Sequence, residues 1–245
     1  MDKRLENEIA HGRFLHNSDA GKIWNWETAA GKKRWNRRVK MLTSHLMPHM
    51  DVLEIGCGNG LFTKEIAKKK CHLTAIDISE ELLEDAKKRV NQKKVIFKVD
   101  NAYNLSFRDS EFDSVIGSSI LHHLDIDRVL LELMRVLRPG GTIYFTEPNM
   151  LNPQIAIQKN VKYFKKLSGD SPDETAFFKW HLKSLLKKFG YIGIKIIPFD
   201  FLHPKIPSQL LGWLEPMCNK LEAVPLIREI SGSLYISAAK KSEMG

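Results

Sequence analysis

Three glycines at alternate positions, Gly56, Gly58 and Gly60, follow a short apolar run in "DVLEIGCGNG" (residues 51–60), and one carboxylate, Glu54, stands just before them. Glycine bares the backbone and tolerates positive φ, so such a loop serves a ligand that must approach main chain closely. The spacing argues against two nucleotide chemistries. A dinucleotide loop, G-x-G-x-x-G, fails because its last position falls on Leu61 counted from Gly56 and on Thr63 counted from Gly58. A Walker phosphate loop fails at Leu61 as well. Asp77 and Asp100 each close a later apolar run, where a lone aspartate ordinarily caps a helix or turn. Cys57 has nothing nearby to activate a thiolate and reads as a small loop residue.

The surrounding elements alternate. "DVLEI", "CHLTAID", "KVIFKVD", "FDSVIGSS" and "TIYFTEP" read as strands. A helix over 61–70 follows the first, and Ser79 can cap a second with Glu80 and Glu81 in its first turn and Lys87 to Arg89 in its last. Asp125 can cap a third whose apolar positions are 126, 129, 130, 133, 136 and 137, ended by "RPGG". Helices between strands imply right-handed crossovers and a parallel sheet, which places the glycine loop at a strand's C-terminal end, where such sheets bind ligands.

After residue 150 the rhythm changes. "SPDE" at 171–174 predicts a capping box opening a helix that buries Phe177, Phe178, Leu182, Leu185, Leu186 and Phe189 before Gly190. "YIGIKIIPF" and "GSLYISAAK" read as an antiparallel pair, separated by a proline-rich insert at about 199–230 that is far longer than a hairpin loop. The expected fold is α/β and doubly wound: a mostly parallel seven-stranded sheet with a late antiparallel strand pair.

The run E-x-G-x-G-x-G resembles motif I of the class I S-adenosylmethionine-dependent methyltransferases, and the likeness continues in order through "AIDIS", "VDNAYNLSF", "FDSVIGSSILHHL" and "VLRPGGTIYFTEPN". It is strong over about 50–150 and extends through the late strand pair to about 240. The resemblance implies S-adenosylmethionine as cofactor and S-adenosylhomocysteine as product. Gly56, Cys57, Gly58 and Gly60 would lie along the cofactor, with Glu54 favouring its cationic part. Asp77, with Ile78 beside it, would accept from the ribose hydroxyls. Asp100, Asn101 and Ala102 would meet the adenine, and Ser118 and Ser119 the methionine part. A segment like "IWNWETAAGKKRWNRRVKML", with Trp24, Trp26 and Trp35, often closes over cofactor or acceptor in that family, so Arg38 is a candidate for the cofactor carboxylate. Otherwise it is an amphipathic helix packed on the sheet edge. The implied organisation is an N-terminal helical cap (1–48) and a methyltransferase domain (49–245) carrying the insert as a lid or wall.

The transferred methyl is already activated, so the protein must align an acceptor and, for an oxygen, remove its proton. His122 and His123 are the candidate bases, the alternative being helix-entry packing just before Asp125; His181, on the expected capped helix, is a further candidate, and Glu147, ending the fifth strand, is a candidate acceptor-site residue. The DNA amino-methyltransferase signature N-P-P-Y is absent, which disfavours DNA. The expected acceptor is a small molecule methylated on oxygen, partly apolar and sugar-bearing or lipid-linked; the alternatives are a protein or RNA acceptor, or a non-catalytic cofactor-binding scaffold.

Bulk properties set wider bounds. With 245 residues, 43% hydrophobic, the chain can bury a substantial core. Its 38 Lys and Arg against 29 Asp and Glu leave +9, spread in short clusters that read mostly as solvated surface. Three scattered cysteines suggest neither a disulfide framework nor a zinc site, and no spacing recommends a metal. No stretch approaches the roughly 18 consecutive apolar residues of a membrane span. A cytoplasmic monomer or homodimer is expected, and a shallow membrane contact through the insert is compatible with its apolar residues.

Overall fold

The computed structural model describes residues 3–17, 24–90 and 95–242. Lys94, expected to open the third strand, and residues 18–23 of the expected cap lie outside them. Seven strands form one sheet: β1 (Asp51–Ile55), β2 (His72–Asp77), β3 (Val95–Val99), β4 (Phe112–Ser118), β5 (Leu137–Pro148), β6 (Ile192–Phe199) and β7 (Ser233–Ala239), in the order β3-β2-β1-β4-β5-β7-β6. β1 to β5 pair in parallel, and β7 runs antiparallel between β5 and β6, as the sequence predicts. The chain winds outward from β1 in one direction and from β4 in the other. Their adjacent C-terminal ends therefore form the switch point at which open α/β sheets leave a crevice.

The helices are α1 (Lys3–His16), α2 (Ala29–Thr43), α3 (Leu61–Ala67), α4 (Glu80–Arg89), α5 (Ile126–Val136), α6 (Pro153–Asn160), α7 (Lys162–Leu167), α8 (Lys179–Lys188), α9 (Leu211–Ala223) and α10 (Pro225–Arg228). Local chemistry sets their starts. Ser79 Oγ accepts from the Leu82 amide and opens α4, whose acidic first turn and basic last turn both suit the helix dipole. Asp125 caps α5 through the Arg128 amide. Val129, Leu130, Leu133 and Val136 then bury one stripe against Val115, Ile143 and Phe145 of the sheet. Val52, Leu73 and Ile116 face the other way, onto Leu42 of α2 and Phe62 and Ile66 of α3. Both faces are covered, which is why β1 and β4 read as nearly continuous apolar runs. Each such side chain adds about 1.5–3 kcal/mol of transfer free energy.

Two local expectations are corrected. The helix after β1 ends at Ala67, short of Lys70. More consequentially, "SPDE" opens no helix; α8 begins only at Lys179. The Glu174 side chain does accept from the Ser171 amide at 2.7 Å, half of a capping box. The chain beyond it runs extended because Phe177 bridges to the end of β5, donating its amide to Pro148 O and accepting from the Met150 amide.

The proline-rich insert is folded. Its Leu202, Leu211 and Cys218 pack on Ala30 of α2. Acidic residues of the insert region face the basic side of α2: Glu215 bonds Lys33 at 2.6 Å, Glu222 takes both Arg37 nitrogens, and Asp200 lies 2.8 Å from Arg34 and 3.4 Å from Arg38. Arg38 is only 5% exposed, and burial brings its pKa down to about 10. A buried cation stripped of its counter-charge is costly, so Asp200→Asn, which tolerates the local φ of +81°, is expected to destabilise the fold by about 3–5 kcal/mol in urea denaturation. A loss under about 1 kcal/mol would show that Arg38 does not depend on this pair.

Candidate functional site

All three loop glycines have positive φ, +64° at Gly56, +52° at Gly58 and +77° at Gly60, for distinct reasons. A Cβ on Gly56 would sit 2.3 Å from the Ile120 side chain, and one on Gly60 would sit 2.8 Å from Ala86 Cα on α4. These two let the loop pack against its neighbours. A Cβ on Gly58 would meet nothing within 4 Å, so there the loop turns bare backbone toward open space.

Asp77, at the end of β2, fixes that conformation. Its Oδ2 accepts from the Gly58 amide at 2.8 Å and its Oδ1 from the Ser79 amide at 3.0 Å. Burial raises its pKa, and those two donors oppose the rise. Glu54 lies beneath the loop, 1% exposed, with Oε2 lacking a hydrogen-bond partner. Burial, with Asp77 adding its repulsion, pushes Glu54 up to about 8. A buried carboxylate in this state gains from any cation placed beside it.

The other expected contacts lie at the same edge of the sheet. The Asp100 amide donates to Asp77 O, tying the ends of β2 and β3. The Asp100 carboxylate accepts from the Asn101 amide at 2.9 Å and from both the amide and hydroxyl of Ser106. Ala102 packs on the core beside them, and Ile78 is half-buried next to Asp77. Ser118 Oγ is 3.1 Å from Thr146 Oγ1, and Ser119, at φ +57°, donates its amide to Thr146 O. The Cys57 thiol is buried and pushed well up, which leaves it inert. Arg38 donates to Asp200, Ser233 and Thr146, with Nε unpartnered; its guanidinium is engaged across β5 and β7.

The histidine pair sits in a turn of 3-10 helix, Leu121–His123, beyond β4. Glu147, at the end of β5, holds that turn by accepting from the Ile120 and Leu121 amides and from His122 Nδ1 at 2.7 Å. Burial raises Glu147 to about 7 and drives His122 well below its ordinary value. His123 is partly buried, yet its pKa is raised because Glu8 and Glu174 outweigh the desolvation. Residues remote in the chain make up this surround: Glu8 Oε2 lies 2.9 Å from His123 Nδ1, and Glu174 lies 3.5 Å from it and 3.8 Å from His122 Nε2. Lys159 bonds Glu174 at 2.5 Å and Asp170 at 2.8 Å. The partners come from α1, α6 and the 170–174 turn, so no local spacing announces them. His181 is exposed on α8, away from the cluster.

Comparison with known proteins agrees with this architecture. A family model described as "Methyltransferase domain" matches residues 53–145. The demethylmenaquinone methyltransferase of Staphylococcus saprophyticus is 30% identical over 220 residues, covering 81% of this chain and 94% of that protein. Among solved structures, the N-methyltransferase NodS of Bradyrhizobium japonicum, in complex with S-adenosylhomocysteine, superposes with a TM-score of 0.65 at 14% identity, covering 96% of this chain and 98% of that one. Phosphoethanolamine N-methyltransferase 2 of Haemonchus contortus, in complex with S-adenosylmethionine, gives 0.63 at 19% identity, with coverages of 85% and 53%. At such identities the structures establish the fold alone.

The Glu54 shift has a measurable sign. A carboxyl whose folded pKa stands near 8 against an ordinary 4.5 favours the fold at low pH, and that contribution is lost as pH rises through the interval. Urea titrations of the ligand-free protein between about pH 4.5 and 8 should therefore show a falling component of stability that Glu54→Gln removes. An identical pH slope in the variant would contradict the assignment.

Proposed function

Because this chain belongs to the class I S-adenosylmethionine-dependent methyltransferases, we propose that it methylates a partly apolar, lipid-linked small molecule carrying an acidic, quinol-type hydroxyl. The observation that carries the cofactor half of this reading is the open face of Gly58, whose amide bonds the Asp77 carboxylate, in the loop that follows Glu54 and its orphaned Oε2. A sulfonium-bearing nucleoside suits it: it has no phosphates to bind, a cationic amino-acid part for Glu54 and ribose hydroxyls for Asp77. Asp77 has two amide donors at present and retains lone pairs for the ribose. Ile78, Asp100, Asn101 and Ala102 then border the adenine, Cys57 and Gly60 line the loop, and Ser118 and Ser119 flank the methionine part. Arg38 is given a structural role, since Asp200 already neutralises it.

When bound, the cofactor supplies an electrophilic methyl group. The protein's own contribution is to hold the acceptor in line with it and keep water out, which in favourable cases is worth on the order of 7–11 kcal/mol. His122 is held by Glu147 and His123 stands against Glu8 and Glu174, so proton removal is left to the acceptor's own acidity; a phenol-like hydroxyl, with pKa about 10, needs far less help than an alcohol. Two observations support a lipid-linked acceptor. The Staphylococcus relative is named for demethylmenaquinone. The insert region also presents Trp213 and Leu226, 84% and 86% exposed, with Met217 on the same helix as Trp213. This makes the insert an acceptor wall or a shallow membrane contact, and α1 with α2 the cap of the expected N-terminal region.

Calorimetric titration of Asp77→Ala with S-adenosylhomocysteine should show affinity weakened about 10- to 100-fold, the equivalent of lost hydrogen bonds to a charged group, with an unchanged circular dichroism spectrum. Unchanged affinity would remove Asp77 from the ribose. With S-adenosylmethionine present, prenylated quinols should be methylated in detergent micelles, and tail-less quinols only weakly. Equal turnover of the two, or binding without any turnover, would contradict the lipid-linked acceptor.

A further inference from the structure

We propose that the buried cluster at the end of β4 is a binding site for a divalent transition metal of the zinc class, held by His122 Nε2, His123 Nδ1, Glu174 and, from α1, Glu8. The donor atoms of His122, His123 and Glu174 all lie within 4.8 Å of one another. Glu8 Oε2 is 2.9 Å from His123 Nδ1, Glu174 Oε1 is 3.5 Å from the same nitrogen, and Glu174 Oε2 is 3.8 Å from His122 Nε2. Ligands about 2.0–2.1 Å from a tetrahedral ion stand roughly 3.3 Å apart, so side-chain adjustment brings His122, His123 and Glu174 together, while Glu8, which meets this set at His123, must turn further to complete it.

The support around these ligands fits as well. His122 Nδ1 is 2.7 Å from Glu147 Oε2, which fixes the tautomer and leaves Nε2 unprotonated toward Glu174: the carboxylate–histidine pairing found behind metal-ligating imidazoles. His123 Nδ1 is buried and lies close to Glu8, yet lacks the alignment of a hydrogen bond. Two carboxylates balance a doubly charged ion held by two neutral imidazoles. Lys159 and the Arg4 guanidinium are the opposing charges; Lys159 bonds Glu174 Oε2 and Asp170, leaving Glu174 Oε1 toward His123, while Arg4 is held by the His122 and His123 carbonyls. His11 Nε2, 3.8 Å from Glu174 Oε1, is a further donor at the rim. Imidazole with carboxylate selects zinc, cobalt or iron over magnesium and calcium, which prefer all-oxygen ligands.

The site would also latch α1. Glu8 is α1's contribution, whereas the other ligands belong to the body, so the ion would clamp the cap helix where it already crosses Ser79 and the histidine turn. Zinc binding at this cluster requires neither cofactor nor acceptor.

Chelator-stripped full-length protein is titrated with zinc against a chromophoric competitor, with magnesium as control and thermal melting in parallel. One equivalent of zinc should bind, and saturation should raise Tm by about 5–10 °C, as expected for a ligand near 100 Kd acting on a domain of this size. Glu174→Gln, and the milder Glu8→Gln if the first fails to fold, should weaken zinc at least about 10-fold and lose the Tm shift. Absence of stoichiometric binding would overturn the proposal. So would unchanged affinity in either folded variant, which would place zinc elsewhere, for instance at His49 and His72, whose rings lie 5.9 Å apart.

Discussion

The hydrogen bond from the Gly58 amide to Asp77 Oδ2 ties the loop after β1 to the end of β2, and the site takes its shape from that tie. A loop with three left-handed residues in five positions has much conformational freedom to lose. Asp77 offsets that cost by engaging Gly58 and Ser79 together, which also sets the start of α4. Once Gly56 packs on Ile120 and Gly60 on Ala86, only Gly58 remains open, and the same carboxylate that orders the loop stands ready beside whatever enters. In the proposed reading, structure and ligand recognition would share one side chain.

Around this rigid centre the chain buries an unusual amount of charge. Arg38 with Asp200, Glu147 with His122, and Glu174 with Lys159 are each largely shielded from water, and such pairs contribute more to uniqueness of arrangement than to net stability. Their placement fits that role. Each joins segments remote in sequence: α2 to the end of β6, β4 to β5, and α6 to the 170–174 turn. Charge geometry therefore adds to the apolar burial of Leu42 and Ala30 in placing α2, whereas the sheet and its own helices are positioned by apolar burial.

This division explains what could be read from the sequence. Elements packed by apolar periodicity or punctuated by local caps were legible: the stripe from Val129 to Val136, Ser79, Asp125 and the late strand pair appear as the residues predict. The glycine loop and the aspartates closing the next two apolar runs, Asp77 and Asp100, stand together at one edge of the sheet, where the strand–turn alternation places them. The surround of His122 and His123 was not legible, since Glu8, Lys159 and Glu174 converge only after folding. "SPDE" misled for a related reason. Its glutamate does reach back to Ser171, but the strand-like bridge of Phe177 to β5 offers the backbone better partners than a first helical turn.

The most direct test of this account is hydrogen exchange of the backbone amides with and without S-adenosylhomocysteine. Added protection should concentrate in three places: the loop 56–60, residues 77–79 and residues 100–102. Binding that instead protected only the α2 and insert layer, leaving the Gly58 loop unchanged, would contradict the assignment of the cofactor to the open end of the β1 crevice.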